Sequence, residues 1–214
     1  MENNKIIILI PSYNELPTLK IICNKLLKLK YDFLVLDDCS TDKTDYWLKS
    51  KKINFIKNKN NLGYEINLID GFKHIIEKTK YTHIITFDGD GEHKIKDLIK
   101  VIKLIKKWQF DLLICNREKK NRWSERIVSL LFKLKYDLED PLSGFKVYKV
   151  NKLKKILKNI GKNYFLTDCI FYFKKKKYKV FNYDIDTIKR VNSRIGNNFL
   201  TNLKILKCAL LCIK

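Results

Sequence analysis

The stretch KIIILIPSYNE, residues 5–15, decides the fold more than any other part of the sequence. Its apolar run Lys5–Ile10 stops at Pro11 and predicts a short strand buried on both faces, as strands of parallel sheets are. The polar residues Ser12-Tyr13-Asn14-Glu15 follow at once, and Leu16–Leu29 then carries apolar residues at helical spacing. Strand, polar turn and helix together form the repeating unit of a doubly wound α/β sheet.

The same alternation continues along the chain with short connections. Further strands are predicted at Asp32–Leu36, Ile53–Ile56, His83–Phe87 and Asp111–Cys115, and further helices at Thr44–Leu48, Tyr64–Glu77 and Ile95–Lys107. Beyond residue 116, helices are predicted at Arg122–Lys135 and Asn151–Asn159 and strands at Phe145–Val150 and Tyr178–Ile185, while 164–177 is ambiguous. No linker divides the 214 residues. The sequence therefore predicts a single Rossmann-like α/β domain with a mostly parallel central sheet flanked by helices.

Acidic clusters follow the predicted strands at the edge where such sheets bind ligands. Asp37-Asp38 follows the second strand, and Asp88-Gly89-Asp90 follows the fourth. Gly89 permits a sharp turn, so both carboxylates of the second cluster can face one small volume, with Glu92 and His93 as further donors. Hard oxygen ligands beside a diphosphate suit Mg²⁺ or Mn²⁺. The alternative is an ordinary Asp/Gly turn with solvated carboxylates.

Two common phosphate cradles are absent from the sequence. No GxGxxG follows the first strand and no GxxxxGK[ST] occurs anywhere, which argues against dinucleotide-binding and P-loop proteins. In their place, Tyr13 could pack against a base, and Glu15 and Asp38 could accept hydrogen bonds from a base or ribose. The alternative for Asn14 and Asp38 is capping of the helices that follow.

The formal charge of +22 comes from 45 lysines and arginines against 23 acidic residues. The lysines are dispersed, so a solvated basic surface is one interpretation, and attraction to nucleotides or an anionic membrane is the other. The five arginines are clustered, at 117, 122 and 126 and at 190 and 194, and arginine suits bidentate phosphate recognition. No nucleic-acid-binding motif is present, so we expect no nucleic-acid partner. The six cysteines lack zinc-site spacing and are interpreted as reduced thiols of a cytoplasmic protein.

Four motifs in order resemble family 2 glycosyltransferases. They are 8–15 (ILIPSYNE), 35–44 (VLDDCSTDKT), 61–64 (NLGY) with Gly71, and 87–93 (FDGDGEH). The next stretch resembles the dolichyl- or polyprenyl-phosphate sugar synthase branch, through Asn116-Arg117, Arg122 with Arg126, and 140–145 (DPLSGF). Arg190 and Ser193-Arg194 resemble a late basic loop of that branch less closely. The resemblance fades beyond residue 196.

The resemblance implies a GT-A type fold and an inverting transfer of a sugar from a nucleotide diphosphate. Residues 1–115 would form the nucleotide-sugar and metal-binding half, and residues 116–214 the acceptor-binding half. The implied nucleotide-binding residues are Pro11, Tyr13, Glu15, Asp38 and Asp88; the metal ligands are Asp88, Asp90 and Glu92; the phosphate-binding residues are Arg117, Arg126 and Arg190. Glu92 replaces the Gln more usual in this branch, although either residue supplies an oxygen.

The acceptor remains open between two chemical classes. A hydroxyl of a glycan or glycolipid needs a carboxylate to take its proton, and Asp140 and Asp168 are the two candidates for this catalytic role. A polyprenyl phosphate is already anionic and needs no base; Asp140 would then orient groups or hold the loop. For either acceptor, Asp140 could instead be an N-cap or form the turn before Pro141, and Asp168 could cap a helix. A lipid acceptor predicts peripheral association with the cytosolic membrane surface, for which the aromatic and lysine-rich stretch 164–179 is a candidate. A nucleotidyltransferase is disfavoured, because it would carry a glycine-rich basic loop after the first strand.

Overall fold

The computed structural model describes residues 5–78, 80–118, 120, 122–161, 165–188, 202–203, 205–207 and 210. Seven strands and seven helices are named here. The strands are β1 (Ile6–Ser12), β2 (Phe33–Asp37), β3 (Phe55–Lys57), β4 (His83–Thr86), β5 (Leu112–Arg117), β6 (Lys146–Lys149) and β7 (Val180–Ile185). The helices are α1 (Leu16–Lys28), α2 (Thr44–Ser50), α3 (Tyr64–Lys78), α4 (Ile95–Lys107), α5 (Trp123–Tyr136), α6 (Val150–Leu157) and α7 (Phe165–Lys175). Residues 164–177, ambiguous in sequence, therefore contain a helix.

The seven strands form one sheet in the order β3-β2-β1-β4-β6-β5-β7. All neighbours are parallel except β6, which runs antiparallel to both β4 and β5. Because β6 is reversed, the residues just before it lie at the edge of the sheet where β4 and β5 end. The register pairs Thr86 at the end of β4 with Lys146 at the start of β6. The loop from Asp140 to Gly144 is thereby brought beside Asp88.

Apolar residues are buried on both faces of the sheet, as the uninterrupted apolar strands predict. In β1, Ile7 and Leu9 pack with α3 and α5–α7, whereas Ile8 and Ile10 pack with α1, α2 and α4. At Gly71 of α3, a Cβ atom would overlap the Leu36 side chain, so glycine lets this helix approach the sheet closely. Helices on both faces of a mostly parallel sheet confirm the predicted fold class. In the described part of the chain, no helix combines the length and the apolar character needed to cross a membrane.

The start of α1 is capped by a residue distant in sequence. Asp42 Oδ2 accepts from Leu16 N–H at 2.9 Å, and its Oδ1 accepts from Thr44 N–H at 3.2 Å. One carboxylate thus serves the first turns of α1 and α2. Asn14 does not cap α1: it has φ 50°, and its Oδ1 accepts from Thr41 N–H at 2.7 Å. Asn14 therefore holds the β2–α2 loop against the β1–α1 turn, and the capping alternative for it is wrong.

Candidate active site

The ends of β1, β2 and β4 bring three of the polar clusters together. Asp38 N–H donates to the Ser12 carbonyl at 2.9 Å, and Gly89 N–H donates to the Pro11 carbonyl at 3.2 Å. A Cβ at Gly89 would lie 3.1 Å from that carbonyl oxygen, which makes the approach of the two backbones tight. Thr18 in the first turn of α1 donates to the Gly89 carbonyl at 2.8 Å. The acidic loop is therefore fixed on β1 and α1 through its backbone, which leaves its side chains for other contacts.

Asp88 is enclosed by three parts of the chain. Its Oδ1 accepts from the Tyr64 hydroxyl at 2.9 Å, and its Oδ2 lies 3.4 Å from His93 Nε2. A Cβ atom at Gly144 would overlap the Asp88 carboxylate. Burial alone would raise the pKa of Asp88, but His93, the Tyr64 hydroxyl and the Arg117 charge outweigh it and lower the pKa below its ordinary value. Asp88 is thus held ionised in one position.

Asp90 and Glu92 sit in a turn that continues from Asp88. Asp90 Oδ1 accepts from Glu92 N–H at 2.9 Å, and Gly91 between them has φ 81°. Burial raises the pKa of Glu92, and Arg117 opposes that shift. A cation near Glu92 would favour its ionised form in the same way.

The acidic loop fits a divalent cation that is shared with a diphosphate. Across the described residues, no three Asp, Glu, His or Cys side chains converge closely enough to hold an ion by themselves. Magnesium sites at phosphates characteristically use one or two carboxylates, with phosphate oxygens and water as the other ligands. Asp88, Asp90 and Glu92 supply hard oxygen donors of this kind on one turn. The ligand set therefore suits Mg²⁺ or Mn²⁺ only together with the donor.

Arg117 is the cation that faces this acidic loop. It ends β5 and binds Asp140 through three N–H groups: its Nε donates to Oδ2 at 2.8 Å, its Nη2 to Oδ1 at 3.1 Å, and its backbone N–H to Oδ2 at 3.1 Å. Its Nη2 also lies 3.7 Å from Glu125 Oε2. Although burial opposes its charge, Asp140 and Glu125 raise the pKa of Arg117 above its ordinary value. The guanidinium is therefore a permanent charge in a set direction.

The surroundings of Asp140 are unsuitable for a general base. The residue is completely buried, and both carboxylate oxygens are bonded to Arg117. Burial alone would raise the pKa of Asp140, but Arg117 lowers it below its ordinary value, and a carboxylate of low pKa is a weak proton acceptor. These contacts favour the alternative, in which Asp140 orients other groups or holds the loop, and the catalytic role of Asp140 stays a prediction.

Asp38 holds a loop and does not present a free carboxylate. Its oxygens accept from Leu62 N–H at 2.9 Å, Gly63 N–H at 2.8 Å and Asn58 Nδ2 at 2.8 Å, and the residue is buried. These bonds place Tyr64, which follows Gly63 directly, against Asp88. The structure thus gives Asp38 a role in supporting this loop, and its expected contact with a nucleoside stays a prediction.

The other expected nucleoside residues lie at the mouth of the site. Tyr13 is exposed beyond the end of β1, and Glu15 is partly exposed immediately before α1. Pro11 is buried within β1, so its contribution is the carbonyl that holds Gly89. Tyr13 and Glu15 are therefore the side chains of this group that remain accessible.

Two of the remaining predicted residues, Arg126 and Asp168, are not gathered around Arg117. Arg126 is exposed on the outer face of α5, and no side-chain contact of Arg126 with Asp88 or Asp140 occurs among the described residues. Asp168 lies in the first turn of α7 and accepts from Gly161 N–H at 3.2 Å, which agrees with a structural role at this helix start. Arg190, together with Ser193-Arg194, lies outside the described residues.

Two ionisable residues behind the site, one buried and one partly buried, had no role in the sequence interpretation. Lys146 is completely buried, and its Nζ donates to the carbonyls of Pro141 at 2.9 Å and Ser143 at 2.6 Å. Burial lowers the pKa of Lys146 to about 8. Glu65 Oε2 accepts from Phe165 N–H at 3.0 Å, at the start of α7, and burial raises the pKa of Glu65 to about 7. A lysine at the first position of a strand that follows a Pro-Gly loop is the only sequence signal for this arrangement.

Glu65→Gln is expected to make the protein less sensitive to pH. The pKa of Glu65 rises from 4.5 to about 7 on folding, so the native state prefers the protonated carboxyl. The stability that this preference contributes is complete below about pH 4.5 and is lost as pH rises through 7. Glutamine keeps the acceptor for Phe165 N–H without ionising. Between pH 5 and pH 8, wild type should lose about 2 kcal/mol of unfolding free energy relative to the variant, as measured by urea denaturation.

Glu77→Gln is the matched control, since Glu77 is exposed on the same helix, α3. The difference in unfolding free energy between Glu77→Gln and wild type should stay constant from pH 5 to pH 8. Parallel pH profiles for wild type and Glu65→Gln would contradict the prediction.

Comparison with known proteins connects this geometry to a family. The family model described as "Glycosyl transferase family 2" matches residues 7–181. The undecaprenyl-phosphate mannosyltransferase of Micrococcus luteus is 25% identical over 171 residues, which are 71% of this chain and 69% of that protein. The UDP-N-acetylglucosamine–dolichyl-phosphate N-acetylglucosaminyltransferase of Methanococcus voltae is 31% identical over 123 residues, 49% of each chain.

Among solved structures, the fold is similar to glucosyl-3-phosphoglycerate synthase of Mycobacterium tuberculosis, in a complex with Mn²⁺, UDP and phosphoglyceric acid. The TM-score is 0.75, with 15% identity, and the match covers 99% of this chain and 79% of that one. At this identity the likeness establishes the fold alone. The match to the family model confirms the resemblance drawn from the four motifs.

Proposed function

Because the chain belongs to glycosyl transferase family 2, we propose that it moves a sugar, with inversion, from a nucleotide diphosphate donor to a polyprenyl phosphate. The observation that carries the proposal is that one edge of the sheet holds Asp88, fixed by the Tyr64 hydroxyl at 2.9 Å, and Arg117, which ends β5 and is fixed by Asp140 at 2.8 Å. The two relatives named for undecaprenyl phosphate and dolichyl phosphate support the acceptor class. The proposed place of action is the cytosolic surface of a membrane.

On the donor side, this chain's residues bind and orient the leaving group. Tyr13 and Glu15 are the accessible side chains for the nucleoside, and Asp38 holds the loop that places Tyr64 against Asp88. Asp88, Asp90 and Glu92 would hold Mg²⁺ or Mn²⁺ with the diphosphate. When bound, the cation supplies charge that stabilises the departing diphosphate without proton transfer. Arg117 adds a fixed positive charge toward the same region, which needs no reorganisation during the reaction.

On the acceptor side, the two candidate bases are already engaged. Asp140 is buried against Arg117, and Asp168 accepts from Gly161 N–H in the first turn of α7. An acceptor hydroxyl would need one of them to remove its proton, whereas a phosphate monoester is already anionic. Their environments therefore favour a phosphate acceptor over a glycan hydroxyl, which stays the second candidate. The phosphate oxygen attacks the anomeric carbon as the bond to the diphosphate breaks, and no proton has to be transferred.

Binding of UDP and GDP, followed by calorimetry with and without Mn²⁺, tests the donor site. Wild type is expected to bind one of them in a metal-dependent way. Asp90→Ala should weaken that binding by about a hundredfold or more, because the ion loses a carboxylate ligand. Asp70→Ala, an exposed carboxylate on α3, is the control and should bind as wild type does. Failure of both nucleotides to bind under any metal condition would overturn the proposal.

A further inference from the structure

Helix α5 exposes a row of large apolar side chains to solvent. Trp123, Ile127, Leu130 and Leu134, here called the α5 stripe, are spaced four, three and four residues apart. At about 100° per residue they fall within an arc of about 60° and extend about 16 Å along the helix. The opposite face of α5 is packed into the core through Val128 and Phe132, both completely buried. The stripe is therefore an additional apolar face that the described residues leave uncovered.

Basic residues flank the α5 stripe, and no exposed acidic residue of α5 interrupts it. Arg126 and Lys133 lie along one side, where Lys133 Nζ also pairs with Glu139 Oε1 at 2.9 Å, and Lys135 lies on the other side. The one acidic residue of the helix, Glu125, is buried on the face turned toward Arg117. An exposed apolar row bordered by cations is typical of helices that lie in the headgroup region of a bilayer.

We propose that the α5 stripe is the surface through which this protein docks on an anionic lipid membrane. Charge complementarity selects this partner, because a chain of net charge +22 is attracted to anionic headgroups and repelled by a second copy of itself. Partial insertion of four apolar side chains adds the hydrophobic contribution that surface charge alone does not supply. The stripe differs from the aromatic and lysine-rich stretch 164–179, in which Phe165, Ile170 and Phe173 are buried in the core.

The position of the stripe fits a phosphate acceptor that is carried by a lipid, and to that extent the inference rests on the proposed function. The stripe begins at Trp123, directly after Arg122 and two residues before Glu125, whose carboxylate lies 3.7 Å from Arg117 Nη2. Glu125 and Arg117 lie on the side of α5 opposite the stripe, so a membrane against the stripe would place its headgroup layer about one helix diameter, roughly 10 Å, from the cation of the active site. The acceptor phosphate would have to pass the N-terminal end of α5 to reach Arg117 while its lipid chain stays in the bilayer.

Sedimentation with vesicles tests the docking surface. Leu130→Ser/Leu134→Ser removes two residues that are 58% and 78% exposed, so little packing is lost. Its binding to vesicles of phosphatidylglycerol and phosphatidylcholine should fall about tenfold or more relative to wild type. The matched control is Ile21→Ser/Leu27→Ser on α1, which changes residues that are 57% and 47% exposed, and should bind as wild type does. Equal losses in both variants would overturn the proposal.

A second readout locates the insertion. The sequence has three tryptophans, and in a Trp47→Phe/Trp108→Phe background only Trp123 emits. Its emission should shift to the blue with phosphatidylglycerol vesicles and stay unchanged with pure phosphatidylcholine. Emission that is unchanged with both would contradict the proposal.

Two further measurements separate this inference from the proposed function and from self-association. If the protein binds nucleotide in a metal-dependent way but does not bind vesicles, the docking surface is wrong and the donor site is supported. If it binds vesicles through the stripe but binds no nucleotide, the donor site is wrong and the docking surface is supported. A wild type that sediments as a dimer without lipid, and becomes a monomer in Leu130→Ser/Leu134→Ser, would assign the stripe to a second copy and contradict the proposal.

Discussion

Asp88→Asn is expected to slow sugar transfer by about a thousandfold while leaving the fold intact. The asparagine has the same shape, so it still fits beside Gly144 and still accepts from the Tyr64 hydroxyl. It removes the negative charge of Asp88. In wild type the surrounding groups keep this carboxylate ionised, because they lower its pKa. A cation bound with the diphosphate would then lose one of its anionic partners. The rate of transfer to undecaprenyl phosphate from the donor identified by calorimetry is the measurement.

The control for this prediction is Asp70→Asn, an exposed residue of α3 paired only with Lys73 among the described contacts. It makes the same chemical change away from the site and should transfer at the wild-type rate. Urea denaturation of Asp88→Asn should lie within about 1 kcal/mol of wild type, which separates lost chemistry from lost structure. Transfer by Asp88→Asn within a fewfold of wild type would remove Asp88 from the proposed metal site.

Arg117→Met is expected to cost about 3–5 kcal/mol of unfolding free energy. The change leaves the carboxylates of Asp140 and Glu125 buried without the guanidinium that compensates them. Replacing both members of the main pair, in Arg117→Met/Asp140→Leu, should recover much of that loss, because the unpaired charge of Asp140 is removed as well. Urea denaturation of the two single variants and the double variant gives the coupling energy directly.

An exposed ion pair provides the comparison for the Arg117–Asp140 pair. Asp186 Oδ2 lies 2.8 Å from Lys96 Nζ and 3.2 Å from Lys94 Nζ, and the pair is open to solvent. Asp186→Asn should leave the unfolding free energy almost unchanged, since exposed pairs are screened by water and salt. If Arg117→Met changed the unfolding free energy as little as Asp186→Asn does, the carboxylates of Asp140 and Glu125 would be stabilised by other groups, and the prediction would be wrong.

The elements were largely predictable because their signals are local. The helix Ile95–Lys107 has the predicted bounds, and the apolar runs identified all seven strands to within two residues at each end. The position of β6 between β4 and β5, and its reversed direction, were not predictable. Periodicity reports which faces of a strand are buried, but both directions of a strand bury the same residues. Strand order and direction depend on pairing between residues distant in sequence.

The parts of the candidate site that follow strand ends were predictable from the sequence. The hydrogen-bond partners of its side chains were not. The carboxyl ends of parallel strands meet at one edge, so the clusters at Ser12, Asp38 and Asp88 were expected together and lie together. The bonds of Asp140 to Arg117, and of Asp38 to the loop before Tyr64, are tertiary contacts that no spacing reveals. A carboxylate that serves as a base and one that positions an arginine look the same in sequence. Their burial and partners distinguish them.

The reversed strand β6 has a consequence for how the chain folds. β1, one neighbour of β4, precedes it in the chain. The other neighbour, β6, is synthesised only after α4, β5 and α5. Until then β4 is an open edge, which is where unfolded chains associate wrongly, and closing it requires a contact of long sequence separation. The insertion of β6 should thus be a late, slow step of folding. Because the same step delivers Gly144 to Asp88, a nascent chain gains its complete donor site only when its sheet closes.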